Sequence, residues 1–255
     1  MLTPLATGVS LGLGAVAGLG LVAGGYAYAA MWPGSQIFGK ALIAPRNRVG
    51  ETCELALTFD DGPNPAWTPQ LLDVLAEYDA NATFFLVGKY AFQQPGLVRR
   101  IVADGHLLGN HSWSHPNLAV TAASKVDNEL LRTRETLEQI AGTPVEYFRP
   151  PFGGRRPHVL RAARQLGMTP VLWNAITTDW SEPSADRITQ RLSAKIDGNE
   201  RRGWATNIVL HDGGHLEPEA NRGPSVAAAG QLLARYAATH RFVRLDAWIE
   251  QSAIL

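Results

Sequence analysis

The sequence is poor in cysteine and in net charge. Cys53 is the only cysteine among 255 residues, which excludes an intrachain disulfide and a structural zinc site built from several cysteines. Lysine plus arginine number 23, as do aspartate plus glutamate, so the formal net charge is zero. This balance favours neither nucleic-acid binding nor electrostatic attachment to a membrane surface.

Charge is also missing from the beginning of the chain. Residues 1–39 contain no aspartate, glutamate, lysine or arginine, and residues 5–31 are mostly Leu, Val, Ala and Gly. Such a stretch is long enough to cross a bilayer as an apolar helix, so we predict a transmembrane anchor over residues 1–32. One alternative is a cleaved export signal with a small-x-small site at residues 27–29, and another is a buried helix of a soluble fold.

The rest of the chain alternates between two patterns. Residues 33–50 are rich in Pro, Gly and basic side chains and are predicted to be a linker, whereas residues 51–255 are predicted to form one domain. Strand-like apolar runs cover 53–59, 82–87, 106–109, 147–148, 169–173, 207–210 and 242–245. Helix-periodic segments between them cover 69–78, 97–103, 124–140, 157–166, 185–196 and 225–238. This alternation predicts an α/β barrel of about seven parallel strands, with an open doubly wound sheet as the alternative.

Acidic residues and histidines follow the ends of the early strands. Asp60 and Asp61 come directly after an apolar run, and two adjacent carboxylates can divide metal binding and proton transfer between them. His111 and His115 are four residues apart, so they share one face if the chain coils there. With one carboxylate they would make a metal site with open positions, although such a pair can also be two surface histidines.

Three later strands end in further polar residues. Arg149 could hold a carboxylate ionised, or it could be a surface arginine before a Pro-Pro turn. Asp179 could be an N-cap, and His211 could be a general acid or a capping histidine. The carboxyl ends of barrel strands converge on one face, so we expect these groups to meet there.

Together these segments resemble the polysaccharide deacetylase family, carbohydrate esterase family 4, over residues 52–248. The matching segments, in order, are LTFDDGPNP (57–65), ATFFLVG (82–88), GNHSWSH (109–115), RPPF (149–152), DW (179–180) and VLH (209–211). Two positions depart from the family pattern: Ile176 replaces an aspartate that often precedes the DW pair, and Val209 replaces a leucine. Neither change removes a catalytic or metal-binding group.

The resemblance implies a distorted (β/α) barrel of seven or eight strands, preceded here by the N-terminal apolar helix. It implies that Asp61, His111 and His115 bind a divalent metal, usually Zn²⁺, with Co²⁺, Ni²⁺ or Mn²⁺ as alternatives. Asp60 is then the general base and His211 the general acid.

The resemblance also assigns supporting residues. Arg149 would fix Asp60 and Asp179 would orient His211, while the substrate pocket would be lined by Phe152, Trp180 and Val209. We expect the neighbouring Arg155 and Arg156 to be solvated loop residues, with contact to an acidic glycan as the alternative. We expect His215 to be a loop residue.

The activity implied is removal of acetyl groups from N-acetylated glycans of the chitooligosaccharide or peptidoglycan type, outside the cytoplasm. The protein would contact its glycan and, through residues 1–32, a membrane, but no nucleic acid. The alternatives are a related hydrolase of non-peptide C–N bonds, an iron site for oxygen chemistry, and an inactive membrane-tethered glycan-binding domain. The complete set of acidic residues and histidines favours an active hydrolase.

Overall fold

A computed structural model describes residues 23–47 and 50–248. Within these ranges the strands are β1 (Glu54–Asp60), β2 (Thr83–Leu86), β3 (Leu107–Asn110), β4 (Tyr147–Phe148), β5 (Thr169–Pro170), β6 (Ala175–Ile176), β7 (Thr206–His211) and β8 (Arg241–Phe242). The helices are α1 (Thr68–Glu77), α2 (Gly88–Gln93), α3 (Pro95–Ala103), α4 (Ala123–Ala141), α5 (Pro157–Gln165), α6 (Ala185–Arg201) and α7 (Gly223–Tyr236). Residues 23–31 are helical as well.

The strands form one parallel sheet in the order β5-β4-β3-β2-β1-β7-β6, and β8 pairs with the beginning of β1. The two edge strands of this path, β5 and β6, do not pair with each other. Residues 42–46 run across this side, where the Leu42 N–H donates to the Pro170 carbonyl (2.8 Å) and the Ala205 N–H donates to the Pro45 carbonyl (3.0 Å). The predicted parallel α/β architecture is therefore confirmed as a half-barrel consistent with a distorted barrel.

Strand β1 shows how the sheet separates its two faces. Leu55, Leu57 and Phe59 belong to the main apolar core beneath the helices, whereas Ala56 belongs to a smaller cluster on the other side of the sheet. Successive strand side chains point to opposite faces, so Asp60 lies on the same side as Ala56. The sequence therefore buries both faces of β1 and places a carboxylate on the inner face at its end.

The strands and helices predicted within residues 51–255 are present. Two further short elements, strand β6 and helix α2, were not predicted.

The N-terminal prediction falls largely on residues 1–22, which lie outside the described residues. Within residues 23–47 and 50–248, no helix combines the length and apolarity that crossing a bilayer requires. The helical residues 23–31 contact the barrel, and the Tyr26 hydroxyl donates to the carbonyl of Ala119 (3.2 Å).

Arg155 attaches this N-terminal helical segment to the barrel. Its side chain is buried, not solvated as predicted, and its guanidinium donates to the carbonyls of Ala30 (3.3 Å), Ser35 (2.8 Å) and Gly153 (3.0 Å). A positive charge at the carboxyl end of a helix is favourable because the last carbonyls there lack intrahelical partners. Arg156, only partly buried, donates to the carbonyl of Thr121 instead. Arg155 is therefore a structural group, and the expectation of a solvated residue was wrong.

Candidate active site

Polar side chains at or directly after the ends of four strands, β1, β3, β4 and β7, converge at the carboxyl end of the sheet. Asp60 and His211 are the last residues of β1 and β7 and are paired in register. His111 directly follows β3, and Arg149 directly follows β4. A cavity of about 350 Å³ opens there, lined by Asp60, Asp61, His111, His115, Phe152, Trp173, Ile176, Trp180, His211, His215 and Arg222.

Arg149 fixes Asp60. The Arg149 side chain is fully buried, and its Nη1 donates to Asp60 Oδ1 (2.7 Å) and to Thr58 Oγ1 (2.8 Å). Its guanidinium carbon lies 4.1 Å from the centre of the Phe85 ring. A buried arginine paired in this way orients the carboxylate and compensates its burial, because an unpaired charge would be costly there. Asp60 Oδ2 stays directed towards the histidines, 3.9 Å from His111 Nε2.

Asp61 faces the two predicted histidines. Asp61 Oδ1 lies 3.0 Å from His115 Nε2 and 3.5 Å from His111 Nε2. The segment from 111 to 115 is not helical, so the expected helical face does not form. Instead Ser112 and His115 adopt the left-handed conformation, with φ of 63° and 60°. Asp61 does the same at 72°, and such strain in non-glycine residues is typical of functional sites.

The protonation of this group suits a metal ion. His111 Nδ1 donates to the Arg149 carbonyl (2.8 Å), which directs Nε2 towards Asp61. Burial lowers the pKa of His115 despite the nearby Asp61, which favours the neutral imidazole. Burial alone would raise the pKa of Asp61, but contacts with the histidines hold it well below its usual range. Asp61 Oδ1 is buried without a hydrogen-bond partner among the described residues, as expected of an atom that binds a cation.

His215 joins this group, although the sequence analysis treated it as a loop residue. Its ring stacks on His115 with centroids 4.4 Å apart, and its Nδ1 lies 3.6 Å from Asp61 Oδ2. Asp61, His115 and His215 each offer one ligand atom within 4.8 Å of the others. The Tyr90 hydroxyl donates to the His215 carbonyl (2.8 Å), which holds the loop in place. The only sign in the sequence was that His215 follows the VLH segment closely, after the two glycines at positions 213 and 214.

A second buried pair lies beside Asp60, at the end of the neighbouring strand β7. Asp179 Oδ1 is 2.9 Å from His211 Nδ1, and Asp179 Oδ2 accepts from the His211 backbone N–H and from Ser225 Oγ, both at 2.8 Å. Burial alone would lower the pKa of His211, but the carboxylate of Asp179, followed by those of Asp61 and Asp60, raises it to about 9. His211 is therefore protonated at neutral pH, with Nδ1 committed to Asp179.

The three predicted pocket residues lie at different depths. Phe152 and Trp180 are 48% and 47% exposed and line the cavity. The Phe152 ring packs edge-on against His115 (4.7 Å between centroids), and Trp180 packs edge-on against His211 (5.1 Å). Val209 is buried two residues before His211 and is not among the cavity-lining residues, whereas its sheet partner Ile176 is.

Asp212 is a further buried carboxylic acid beside the site that sequence reasoning did not identify. It accepts from Thr68 Oγ1, yet burial and the nearby carboxylates of Asp61 and Asp60 raise its pKa to about 7. Its carboxylate leaves no room at Gly62, where an added Cβ would lie 2.3 Å from Asp212 Oδ2. Close packing of the loops after β1 and β7 therefore fixes the position of Asp61.

These features define a hydrolase-type site on a (β/α) half-barrel, with a carboxylate–histidine cluster, a fixed carboxylate and a histidine–aspartate pair. The polysaccharide deacetylase family profile matches residues 48–171. A chitooligosaccharide deacetylase from Sinorhizobium fredii is 37% identical over 195 residues, which cover 74% of this chain and 87% of that protein. The chain therefore belongs to the polysaccharide deacetylase family, carbohydrate esterase family 4.

Two further relatives concern peptidoglycan. A peptidoglycan-N-acetylglucosamine deacetylase from Bacillus cereus is 38% identical over 182 residues, which cover 71% of this chain but only 62% of that protein. The crystal structure of a peptidoglycan N-acetylglucosamine deacetylase in complex with 4-naphthalen-1-yl-N-oxidanyl-benzamide superposes with a TM-score of 0.70 at 35% identity. That alignment covers 81% of this chain and 91% of the solved one. The named relatives are thus hydrolases of amide bonds in N-acetylated sugars.

Proposed function

We propose that this protein is a metal-dependent deacetylase that removes acetyl groups from N-acetylglucosamine units of a glycan of the peptidoglycan or chitooligosaccharide type. The observation that carries the proposal is that two differently partnered groups line one cavity. Arg149 pairs with Asp60 at 2.7 Å, and Asp179 raises the pKa of His211, which favours its protonated form. Hydrolysis of an amide needs such a base and such an acid.

The residues divide the reaction as follows. Asp60 Oδ2 accepts a proton from the attacking water, which forms the new C–O bond at the acetyl carbon. His211, whose Nδ1 is committed to Asp179, donates the Nε2 proton to the departing nitrogen as the C–N bond breaks. The products are acetate and a free amino sugar. Phe152 and Trp180 offer exposed aromatic faces at the rim for a sugar ring or the acetyl methyl group.

Asp61, His111 and His115 would hold the metal, with His215 close enough to join them. Asp61 Oδ1 is buried without a hydrogen-bond partner among the described residues, and burial lowers the pKa of the neighbouring His115, which supports this assignment. The nitrogen and oxygen donors suit Zn²⁺, and Co²⁺, Ni²⁺ or Mn²⁺ are alternatives. When bound, such a cation supplies Lewis-acid polarisation of the amide carbonyl and of the attacking water.

The proposed substrate places the catalytic domain outside the cytoplasm. Residues 1–32 are the apolar segment that we propose as a membrane anchor or an export signal. Protease treatment of intact cells tests this placement, because the domain should be degraded without lysis. Recovery of the domain in the membrane fraction would indicate an anchor, and its release into the medium would indicate a cleaved signal.

The decisive experiment measures acetate release by the purified full chain. After chelation, the protein is supplied with Zn²⁺ and given chitooligosaccharides, peptidoglycan or a small acetamide without a sugar. We expect release from a glycan that requires metal and is lost in Asp60→Asn but kept in Asp73→Asn, which changes an exposed aspartate. Release only from the small amide would support a hydrolase of other C–N bonds. Glycan binding without release would support an inactive binding domain.

A further inference from the structure

A second cluster of metal-type side chains lies at the opposite end of the barrel. Cys53 directly precedes β1, Glu200 is in the last turn of α6, and His240 directly precedes β8. The Arg241 N–H donates to the Cys53 carbonyl (2.9 Å), which brings β8 alongside the beginning of β1. Asp60 is seven residues after Cys53, a distance of about 23 Å along an extended strand. The cluster is therefore separate from the proposed deacetylase site.

The three side chains are already close to a common centre. Cys53 Sγ lies 3.5 Å from Glu200 Oε1, and His240 Nε2 lies 3.7 Å from Glu200 Oε2. One ligand atom from each residue lies within 4.8 Å of the other two. Ordinary zinc bond lengths put neighbouring ligand atoms of a tetrahedral site about 3.3 to 3.6 Å apart. Small side-chain movements would thus complete three corners of such a site.

His240 presents an unused nitrogen to this centre. Its side chain is only 8% exposed, and its Nε2 has no hydrogen-bond partner within the described part of the chain. On the other side of the ring, Nδ1 lies 2.9 Å from Thr239 Oγ1, whose own hydroxyl donates to the Tyr236 carbonyl (3.4 Å). Nδ1 therefore has Thr239 as its partner, and Nε2 is the nitrogen that faces Glu200. A buried nitrogen without a partner is costly unless it binds something.

Cys53 and Glu200 supply the other two donors. The Cys53 thiol donates to Glu200, and Asn47 Nδ2 donates to the sulfur (3.4 Å). Burial and the Glu200 carboxylate raise the pKa of the thiol, because a thiolate there would meet a like charge. A divalent cation would remove this repulsion and take the place of the thiol proton. The Asn47 amide would then stabilise the thiolate, as groups behind a metal ligand commonly do.

We propose that Cys53, Glu200 and His240 form a second metal site, distinct from the deacetylase centre, that binds Zn²⁺ or Co²⁺. One sulfur, one nitrogen and one carboxylate oxygen suit these ions better than Mg²⁺ or Ca²⁺, which prefer oxygen alone. Glu200 is 48% exposed, so solvent can reach the fourth position. The ion would join the beginning of β1, the end of α6 and the beginning of β8, and would stabilise the amino-terminal end of the barrel.

The cysteine content of the chain makes this site separately observable. Cys53 is the only cysteine, so any thiolate-to-cobalt charge-transfer absorption in the near ultraviolet must come from it. We would titrate the full chain with Co²⁺ and follow this absorption. In His115→Ala, which impairs the deacetylase site, we expect it to saturate at one equivalent per chain, and we expect it to disappear in Cys53→Ser. Glu200→Gln and His240→Ala should weaken Co²⁺ binding at least tenfold, whereas His158→Ala, at an exposed histidine elsewhere, should not.

Two further measurements separate the sites and control for folding. His115→Ala should keep the charge-transfer absorption, and Cys53→Ser should keep acetate release, because each variant alters only one site. In His115→Ala, saturating Zn²⁺ should raise the unfolding midpoint by on the order of 5 °C, and Cys53→Ser should remove that increase. Glu200→Gln is the variant least expected to disturb folding, because the Glu200 side chain is half-exposed. Absence of the absorption in the wild type, or its survival at unchanged affinity in folded Glu200→Gln and His240→Ala proteins, would overturn the proposal.

Discussion

The two ends of strand β1 carry different chemistry. At the carboxyl end, Asp60 is buried, has an arginine nitrogen at 2.7 Å and lies beside residues in strained conformations. At the amino end, Cys53 is partly exposed and its polar contacts are 3.4 to 3.5 Å long. The first environment holds its groups in position before any ligand arrives, whereas the second needs an ion to draw its groups together. Catalysis benefits from the first arrangement, and reversible stabilisation requires only the second.

The largest expected effect comes from replacing one carboxylate oxygen of Asp60 with an amide nitrogen. Asp60→Asn removes the proposed base while keeping the side-chain shape, so kcat should fall by about 10²- to 10⁴-fold. Acetate release from chitooligosaccharides or peptidoglycan measures this loss. Bound Zn²⁺ should be unchanged, because Asp61 and the histidines remain. Cys53→Ser at the other end of the strand should keep kcat within about twofold. If both variants lost kcat equally, the two ends of β1 would not have the separate roles proposed for them.

The next effect concerns the stability that Arg149 supplies to the catalytic end. Arg149→Met leaves the Asp60 carboxylate buried without its partner, so the free energy of unfolding should fall by about 3–5 kcal/mol. Urea unfolding followed by circular dichroism measures this change. The double variant Arg149→Met/Asp60→Asn should recover much of the loss, because no unpaired charge remains.

Arg100→Met is a matched control for this prediction. Arg100 pairs with Asp73 at 2.5 Å, but both side chains are exposed. Exposed ion pairs contribute about 0–1 kcal/mol, so this variant should unfold almost like the wild type. Similar losses for Arg100→Met and Arg149→Met would mean that burial does not distinguish the two arginines.

A smaller effect should appear in the pH dependence of the reaction. Asp179 is the main partner that raises the pKa of His211 against burial, and unlike Asp61 it would not be neutralised by a metal at the centre. In Asp179→Asn the alkaline limb of kcat should therefore move to lower pH, by on the order of one unit or more. The loss of activity relative to wild type should be greater at pH 8.5 than at pH 6.5. An unshifted limb would contradict the assignment of His211 as the acid.

The same pair makes stability depend on pH in a defined direction. The pKa of His211 is raised to about 9 in the folded protein, compared with about 6.5 in an unfolded chain. Its contribution to stability is thus fully present below about pH 6.5 and is lost as the pH rises through 9. Asp179→Asn should flatten this part of the stability curve, whereas Asp127→Asn, at an exposed aspartate, should leave it unchanged.

Much of the catalytic end was predictable from the sequence, because its residues follow apolar runs and the carboxyl ends of parallel strands converge. Two local features were not predictable from neighbouring residues. His111 and His115 meet through left-handed turns rather than a helix, and backbone strain of this kind leaves no clear mark in a single sequence. Arg155 looked like a loop residue because its partners, the carbonyls of residues 30–35, lie some 120 residues earlier in the chain.

The amino-terminal cluster could not be predicted for the same reason. Cys53, Glu200 and His240 belong to no motif and are separated by 147 and 40 residues. Only the pairing of β8 with β1, together with the end of α6, brings them together. A strand was predicted here over residues 242–245, but its pairing with β1 was not, so this juxtaposition follows from the tertiary fold.

The smallest predicted effect tests whether His215 adds to the three metal ligands implied by the family. Its Nδ1 is 3.6 Å from Asp61 Oδ2 and its ring stacks on His115, but its side chain is about one-third exposed. His215→Ala should therefore weaken Zn²⁺ binding by about tenfold while reducing kcat at saturating metal only a few-fold. Competition with a chromophoric chelator measures the affinity, and a Cys53→Ser background removes the second site. His158→Ala in that background is the control. If His215→Ala binds Zn²⁺ as tightly as this control, the catalytic end holds its ion with Asp61, His111 and His115 alone, and His215 only packs against them.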